Sequence, residues 1–355
     1  VPPLPPGSTI GIIGGGQLGR MLAMAAANLG YRCAVYAPEP SGPAADVCSR
    51  WVQGAYADAV ALSVFAETVD VLTYEFENVP VEPLVTLSVP VLPNCRALAI
   101  AQDRALEKQF VEDLGGRPAP WRAVSDRAEL DAALAEIGAP AILKTRRFGY
   151  DGKGQARLKT VADADAAWAA IGGSPAVLEG FVGFEHEFSL LVVRGPDGSH
   201  RLWDTVLNVH DHGILALSTA PAEGVCEDAR REAGDLALRI VDALDYVGVL
   251  AIEFFDSADG PVFNEMAPRV HNSGHWTIEG AVISQFENHI RAIAGLPLGS
   301  TALAAPRVEM RNLIGEQADD WAMILSDPNA HLHLYGKGQA RPGRKMGHVT
   351  RLFFD

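Results

Sequence analysis

The chain has 355 residues, 44 Asp+Glu against 29 Lys+Arg, and a formal net charge of −15, a balance that argues against a broad nucleic-acid-binding surface. No apolar run approaches a membrane span, and the start, V-P-P-L-P-P-G, lacks the charged-then-apolar order of a signal peptide. Cys33, Cys48, Cys95 and Cys226 are scattered without a C-x-x-C, which suits reduced thiols of a cytoplasmic protein better than a disulfide framework or a zinc site. A chain this long suggests two or three domains.

Thr9 to Ile13 reads as a short β-branched strand. It enters Gly14-Gly15-Gly16-Gln17-Leu18-Gly19 and then a helix over about 18–29. G-x-G-x-x-G between a strand and a helix is the dinucleotide fingerprint. The only candidate ribose-binding acid is Glu39, bracketed awkwardly by Pro38 and Pro40, which weighs against NAD. The helix N-terminus could hold another phosphate. A helical stretch over 58–67 and a strand over 71–74 follow, with Glu75 at the strand's carboxyl end. That edge is where ligands sit in open α/β sheets, so Glu75 is either a substrate contact or a solvated loop acid. Residues 94–114 read as one helix with Arg104 and Lys108 one turn apart, and G-G-R-P-A-P then breaks the pattern.

From Ala119 the pattern becomes α+β. A helix over 127–137 precedes a strand, 141–143, that delivers Lys144. The next stretch, R-R-F-G-Y-D-G-K-G-Q, packs Gly149, Gly152 and Gly154 around Asp151 and Lys153. A glycine-rich loop can lay peptide N–H groups along a phosphate chain, and the two lysines add point charges. It is not a Walker A loop. A plain hairpin turn fits the loop alone equally well. A strand over 155–159, a helix over 162–171 and a strand over 176–178 lead into Glu179-Gly180-Phe181-Val182, whose main chain could serve an adenine edge. Residues 185–194 alternate into a long strand.

Residues 249–255 and 261–267 read as strands joined by D-S-A-D-G, which is hairpin chemistry. A hairpin centred on Asp259 sets Glu253 opposite Glu265, with Cβ atoms about 4.5–5.5 Å apart. Two carboxylates so placed repel unless a cation lies between them, and Mg²⁺ suits them. Asn264 is a further oxygen donor. Residues 280–295 read as an amphipathic helix carrying Ile283, Phe286, Ile290 and Ile293 on one face. The tail from Ala304 is β-rich, with His331 and His333 on the polar face of a strand.

The lysine strand, the G-Y-D-G-K-G-Q loop, E-G-F-V, Glu187 and the Glu253/Asn264-Glu265 set resemble, in order and spacing, the ATP-grasp enzymes. Three runs are more specific: G-G-G-Q-L-G-R-M-L, N-E-M-A-P-R-V-H-N-S-G-H-W-T and R-P-G-R-K-M-G-H. With them the whole chain resembles the N5-carboxyaminoimidazole ribonucleotide synthetases of purine synthesis.

The resemblance implies an ATP-grasp fold of mixed α/β and α+β type. Residues 1–117 would form a Rossmann-like domain, 118–303 the ATP-grasp domain and 304–355 a small β-rich domain. The implied reaction is ATP- and bicarbonate-dependent carboxylation of 5-aminoimidazole ribonucleotide through carboxyphosphate, with ATP and Mg²⁺ (or Mn²⁺) as cofactors. The implied nucleotide contacts are Arg104, Lys144, Gly149, Tyr150, Asp151, Gly152, Lys153, Gly154, Gln155, Glu179, Gly180, Phe181, Val182, Glu187, His210, Asn264 and Glu265, with Glu253 and Glu265 holding the metal. Asp151 is the candidate for orienting or deprotonating the amine. Arg269 and His271 would face the transferred group. Glu75, Tyr150, Asn272, the Gly16-Gln17-Leu18 turn and the basic cluster Arg341, Arg344, Lys345 would serve the ribotide. The partners implied are small molecules and a second copy in a homodimer, with no nucleic acid and no membrane. Another ATP-grasp ligase, such as a formate-dependent ribotide transformylase, and an NAD-dependent oxidoreductase resting on Gly14 to Gly19 are the alternatives.

Overall fold

A computed structural model describes residues 2–149 and 154–354. Three sheets organise it. Strands Arg50–Gln53, Arg32–Ala37, Thr9–Ile13 and Val71–Tyr74 form, in that order, a parallel sheet. Such a sheet is buried on both faces away from its edge, and three of its strands are correspondingly apolar: Ile10, Ile12, Val35 and Leu72 are completely buried, while the edge strand Arg50–Gln53 is partly exposed. The helix Gln17–Asn28 packs between this sheet and the helix Gln285–Ile293.

A second sheet is antiparallel, ordered Trp121–Val124, Ala176–Gly180, Ala141–Thr145 and Gln155–Leu158. Lys144 and Glu179 sit on two of its neighbouring strands. The largest sheet runs Gly260–Ala267, Gly248–Ser257, His186–Arg194, Val206–Asp211, Ile214–Ala220, Arg307–Ile314, Lys345–Phe353, Ala330–Leu334, with His200–Leu202 beside His186–Arg194. The C-terminal strands therefore continue the central sheet through the pairing of Leu217 with Arg311, and do not build a sheet of their own.

Two helices differ from the sequence reading. The stretch 94–114 is two helices, Cys95–Ala101 and Arg104–Asp113, because the Asp103 carboxylate caps the second one, accepting from the Ala105 N–H at 3.0 Å. The helix expected over 280–295 spans only Gln285–Ile293, capped by Ser284. Ala281 pairs instead with Leu303 and the Ile283 N–H bonds to the Ser300 carbonyl, so Ile283 leaves the helical face while Phe286, Ile290 and Ile293 stay buried on it. His333 is half-buried, its Nε2 2.6 Å from Glu279 and its ring stacked on His348, so of the two histidines His331 alone is exposed. Among the described residues no helix is long and apolar enough to cross a membrane.

Candidate active site

Glu253 and Glu265 are paired residues on adjacent antiparallel strands. The pairing matches the sequence reading, but the route to it is different. The hairpin turn holds two residues between Ser257 and Gly260, so it is not centred on Asp259, and a register shift beyond Phe254/Phe263 restores the opposition. Asn264 is the extra residue of that bulge. Bulges re-aim side chains, and here the Asn264 Oδ1 is buried with no protein partner among the described residues. Glu265 accepts from Arg104 Nη1 at 3.0 Å. Burial pushes the Glu265 carboxyl up, but Arg104 and Lys144 outweigh it and hold it low. Glu253, 3.5 Å from His271 Nε2, is raised by burial and then by Glu265. Two facing carboxylates, one of them disfavoured as an anion, and an orphan amide oxygen fit a hard divalent cation.

Two cavities meet at this pair. One, of about 330 Å³, lies between the antiparallel sheet and the central sheet and is lined by Lys144, Gln155, Glu179, Gly180, Phe181, Val182, Glu187, His210 and Asn264. The other, of about 460 Å³, faces the first domain and is lined by Gln17, Leu18, Glu77, Gly149 and Arg269. Arg104, Glu253, Glu265, His271, Asn272 and Lys345 line both.

Lys144 is buried, its Nζ 2.7 Å from Glu179 Oε2. Burial lowers the Lys144 ammonium and Glu179 partly restores it. Burial would raise Glu179, but Lys144 and Lys108 pull it down to about 2. His210 Nδ1 lies 2.6 Å from Glu187. Arg269 Nε is 2.5 Å from Glu77. The His271 Nδ1 pairs with Ser273 Oγ at 2.9 Å, and burial, Arg269 and Lys345 lower its pKa to about 3, so the ring is neutral.

Among the described residues, five sequence candidates line neither cavity: Gly16, Glu75, Gly154, Arg341 and Arg344. Glu75 is buried and its carboxylate accepts from the Gly16 N–H and, at 2.7 Å, from the Gly19 N–H. The glycines make room for it: a Cβ on Gly16 would come 2.6 Å from Glu75 Oε1. The helix N-terminus thus already meets a carboxyl of the chain itself, raised by burial and drawn back by the two N–H groups, and this close approach is what the glycines of the fingerprint make room for. Gly154 closes the glycine loop, its carbonyl accepting from the Thr145 N–H. Arg341 is exposed, and Arg344 bonds the Gln339 carbonyl. Of that basic cluster Lys345 alone reaches the cavities. Tyr150, Asp151, Gly152 and Lys153 lie outside the described residues.

Several residues of the site were not singled out from the sequence. Lys108 Nζ lies 2.9 Å from Glu179 Oε1, and Glu107, raised by burial to about 8, accepts from the Met266 N–H at 2.7 Å. Arg146 makes a double contact to Asp103 and Arg147 reaches Gln102 Oε1 at 2.6 Å, so the stem of the glycine loop is tied to the junction of two helices. The one-turn spacing of Arg104 and Lys108 was visible, but charged helix positions ordinarily face solvent, and nothing local announces a partner as distant as Glu179.

Three family models match in chain order: a ribonucleotide synthetase preATP-grasp domain over residues 8–102, an ATP-grasp domain over 109–286 and a phosphoribosylaminoimidazole carboxylase C-terminal domain over 309–353. The N5-carboxyaminoimidazole ribonucleotide synthase of Brucella melitensis is 53% identical over 98% of this chain and 97% of its own. The chain belongs to the N5-carboxyaminoimidazole ribonucleotide synthase family. A crystal structure of the Thermus thermophilus synthetase superposes with a TM-score of 0.92 at 50% identity, covering 98% of this chain and 94% of that one. The Aspergillus clavatus synthase, solved with ADP and 5-aminoimidazole ribonucleotide, superposes with a TM-score of 0.91 at 33% identity and the same coverage.

Proposed function

We propose that the protein carboxylates the exocyclic amine of 5-aminoimidazole ribonucleotide, using ATP and bicarbonate and releasing ADP and phosphate, in purine biosynthesis. Bicarbonate oxygen attacks the γ-phosphorus and ADP leaves, giving carboxyphosphate. The amine nitrogen then bonds to the carboxyl carbon of carboxyphosphate, or of CO₂ released from it, as phosphate departs and the amine loses a proton. The observation that carries this reading is the shared wall. A nucleotide in the smaller cavity and a ribotide in the larger one would meet at Arg104, His271 and Lys345.

Phosphoryl transfer needs positioning and charge neutralisation more than covalent help. Lys144 and Arg104 supply fixed positive charge there. Glu253 and Glu265, with the Asn264 oxygen beside them, would hold Mg²⁺, which would neutralise charge on the phosphates. Neutral His271, whose Nδ1 accepts from the Ser273 N–H, can donate at Nε2 without adding charge, and Arg269, oriented by Glu77, faces the larger cavity and suits the bicarbonate or its phosphorylated form. Asp151 remains the proposed base or orienting group for the amine. Lys345 is the proposed cation for the ribotide phosphate.

ADP release is the direct test. It should be slow with ATP, Mg²⁺ and bicarbonate alone and rise sharply when the ribotide is added. Turnover that ignores the ribotide, or answers instead to formate or another amine, overturns the assignment.

A further inference from the structure

Glu179 faces two ammonium groups, hydrogen-bonded to that of Lys144 and within ion-pair distance of that of Lys108. Lys144 Nζ lies 2.7 Å from Oε2 and Lys108 Nζ lies 2.9 Å from Oε1. The two lysines differ in what else they can reach. Lys144 stands in the wall of the smaller cavity. Lys108, on the helix Arg104–Asp113, is completely buried, lines neither cavity, and has the Asn264 carbonyl 3.5 Å away.

A phosphate chain entering the smaller cavity competes with Glu179 for Lys144. Without Lys108, drawing Lys144 away would strand a buried carboxylate with no cation, and an unpaired buried charge is costly. With Lys108 present, Glu179 keeps a counter-charge whichever way Lys144 turns. Lys108, completely buried and outside both cavity linings, has no such path to a ligand.

We propose that Lys108 is a positioning residue of the nucleotide site: it holds Glu179 charged and in place while Lys144 engages bound nucleotide, and so sets nucleotide affinity without touching the nucleotide. The proposal rests on reading the smaller cavity as the ATP site. It requires the effect of Lys108 to act through Glu179, and this distinguishes it from a general packing role.

ADP binding by calorimetry tests it, with Mg²⁺ present, on the wild type, Lys108→Met, Glu179→Gln and the double variant, each shown to be folded by circular dichroism. Lys108→Met should raise the Kd for ADP about tenfold or more, since it leaves Glu179 with Lys144 alone. The same substitution made on top of Glu179→Gln should change the Kd less than about twofold, because no carboxylate remains to be stranded. Unchanged affinity in Lys108→Met, or equal weakening in both backgrounds, overturns the proposal. If Lys108→Met does not fold, Lys108→Gln replaces it with the same deciding outcomes. Failure of the wild type to bind ADP would instead remove the nucleotide reading itself.

Discussion

Neutralising either carboxylate of the facing pair should abolish turnover, but the two variants should move stability in opposite directions. Glu265 is engaged by Arg104, whose side chain is 16% exposed while that of Glu265 is 41% exposed. Glu265→Gln breaks that pair and leaves the guanidinium without its carboxylate. Breaking a fully buried pair costs several kcal/mol, and the exposure of Glu265 reduces this to about 1–2 kcal/mol. Among the described residues no arginine is so placed on Glu253, and burial together with Glu265 raises its carboxyl. A carboxyl raised in the folded state costs about 1.4 kcal/mol of stability per pH unit of the lift once it is ionised. Glu253→Gln should therefore stabilise by about 1–3 kcal/mol at pH 8. The sign follows from proton counting. The folded chain keeps a proton the unfolded chain has lost, so this penalty grows as pH rises and the advantage of Glu253→Gln should vanish near pH 4. Denaturant unfolding of the metal-free, nucleotide-free protein measures the difference, and ADP release at fixed Mg²⁺ measures the activity. If both variants lose stability alike at pH 8, mutual repulsion is not what Glu253 costs the fold. If Glu265→Gln turns over at the wild-type rate, the pair does not hold the metal.

Lys144→Met should keep the fold and lose about tenfold to a hundredfold in turnover, the order for one charged contact to developing charge, and undiminished steady-state rates would remove Lys144 from the site. Lys345→Ala should raise the apparent KM for the ribotide much more than that for ATP. A rise in the ATP KM alone would leave the enzyme assignment standing but not the phosphate site. Three buried imidazoles should make the fold acid-sensitive: burial lowers His289 to about 3 and holds His275 and His348 well below the ordinary value of 6.5. The unfolded chain takes up protons there that the folded chain refuses, so each of these imidazoles should cost about 2 kcal/mol of stability by pH 5, against the opposite contribution of the raised Glu107 and Glu253 carboxyls. The stability difference between wild type and His289→Gln isolates one imidazole, and a difference that does not change from pH 7 to 5 would contradict this.

Much of the fold was legible because its strands are short, apolar and punctuated by glycine. Thr9–Ile13 and Val71–Tyr74 have the bounds read from the sequence. The helix over 94–114 was misread because Asp103, in mid-run, is both an N-cap and the partner of Arg146, and the second role depends on a loop distant in sequence. The carboxylate pair was legible from hairpin symmetry, although a two-residue turn and a bulge replaced the symmetrical loop. Two errors offset each other there, so the right pair did not certify the turn. The Glu75 clamp on Gly16 and Gly19 was hidden for a different reason. A fingerprint built of glycines states only that something must come close to the main chain, and a carboxylate of the protein itself meets that need as well as a cofactor does.

The shared wall of the two cavities also explains why the C-terminal strands belong to the central sheet. Lys345 begins the strand Lys345–Phe353, and its pairing with Ile314 follows a register shift from the Leu313/Gly347 pair. Arg307–Ile314 is in turn fixed against Ile214–Ala220, two strands from the one paired with Gly248–Ser257. The ladder therefore relates Lys345 to Glu253 through an unbroken run of backbone hydrogen bonds. A tethered domain with its own sheet could present the same ammonium group, but its position would depend on a hinge. Here Arg104 comes from a helix, Glu253 and Glu265 from a hairpin, His271 and Asn272 from the turn that follows it, and Lys345 from the far side of the sheet. Groups drawn from four elements of one rigid framework can be preorganised for both ligands before either arrives, which is what short-lived carboxyphosphate chemistry requires of the cleft that makes and consumes it.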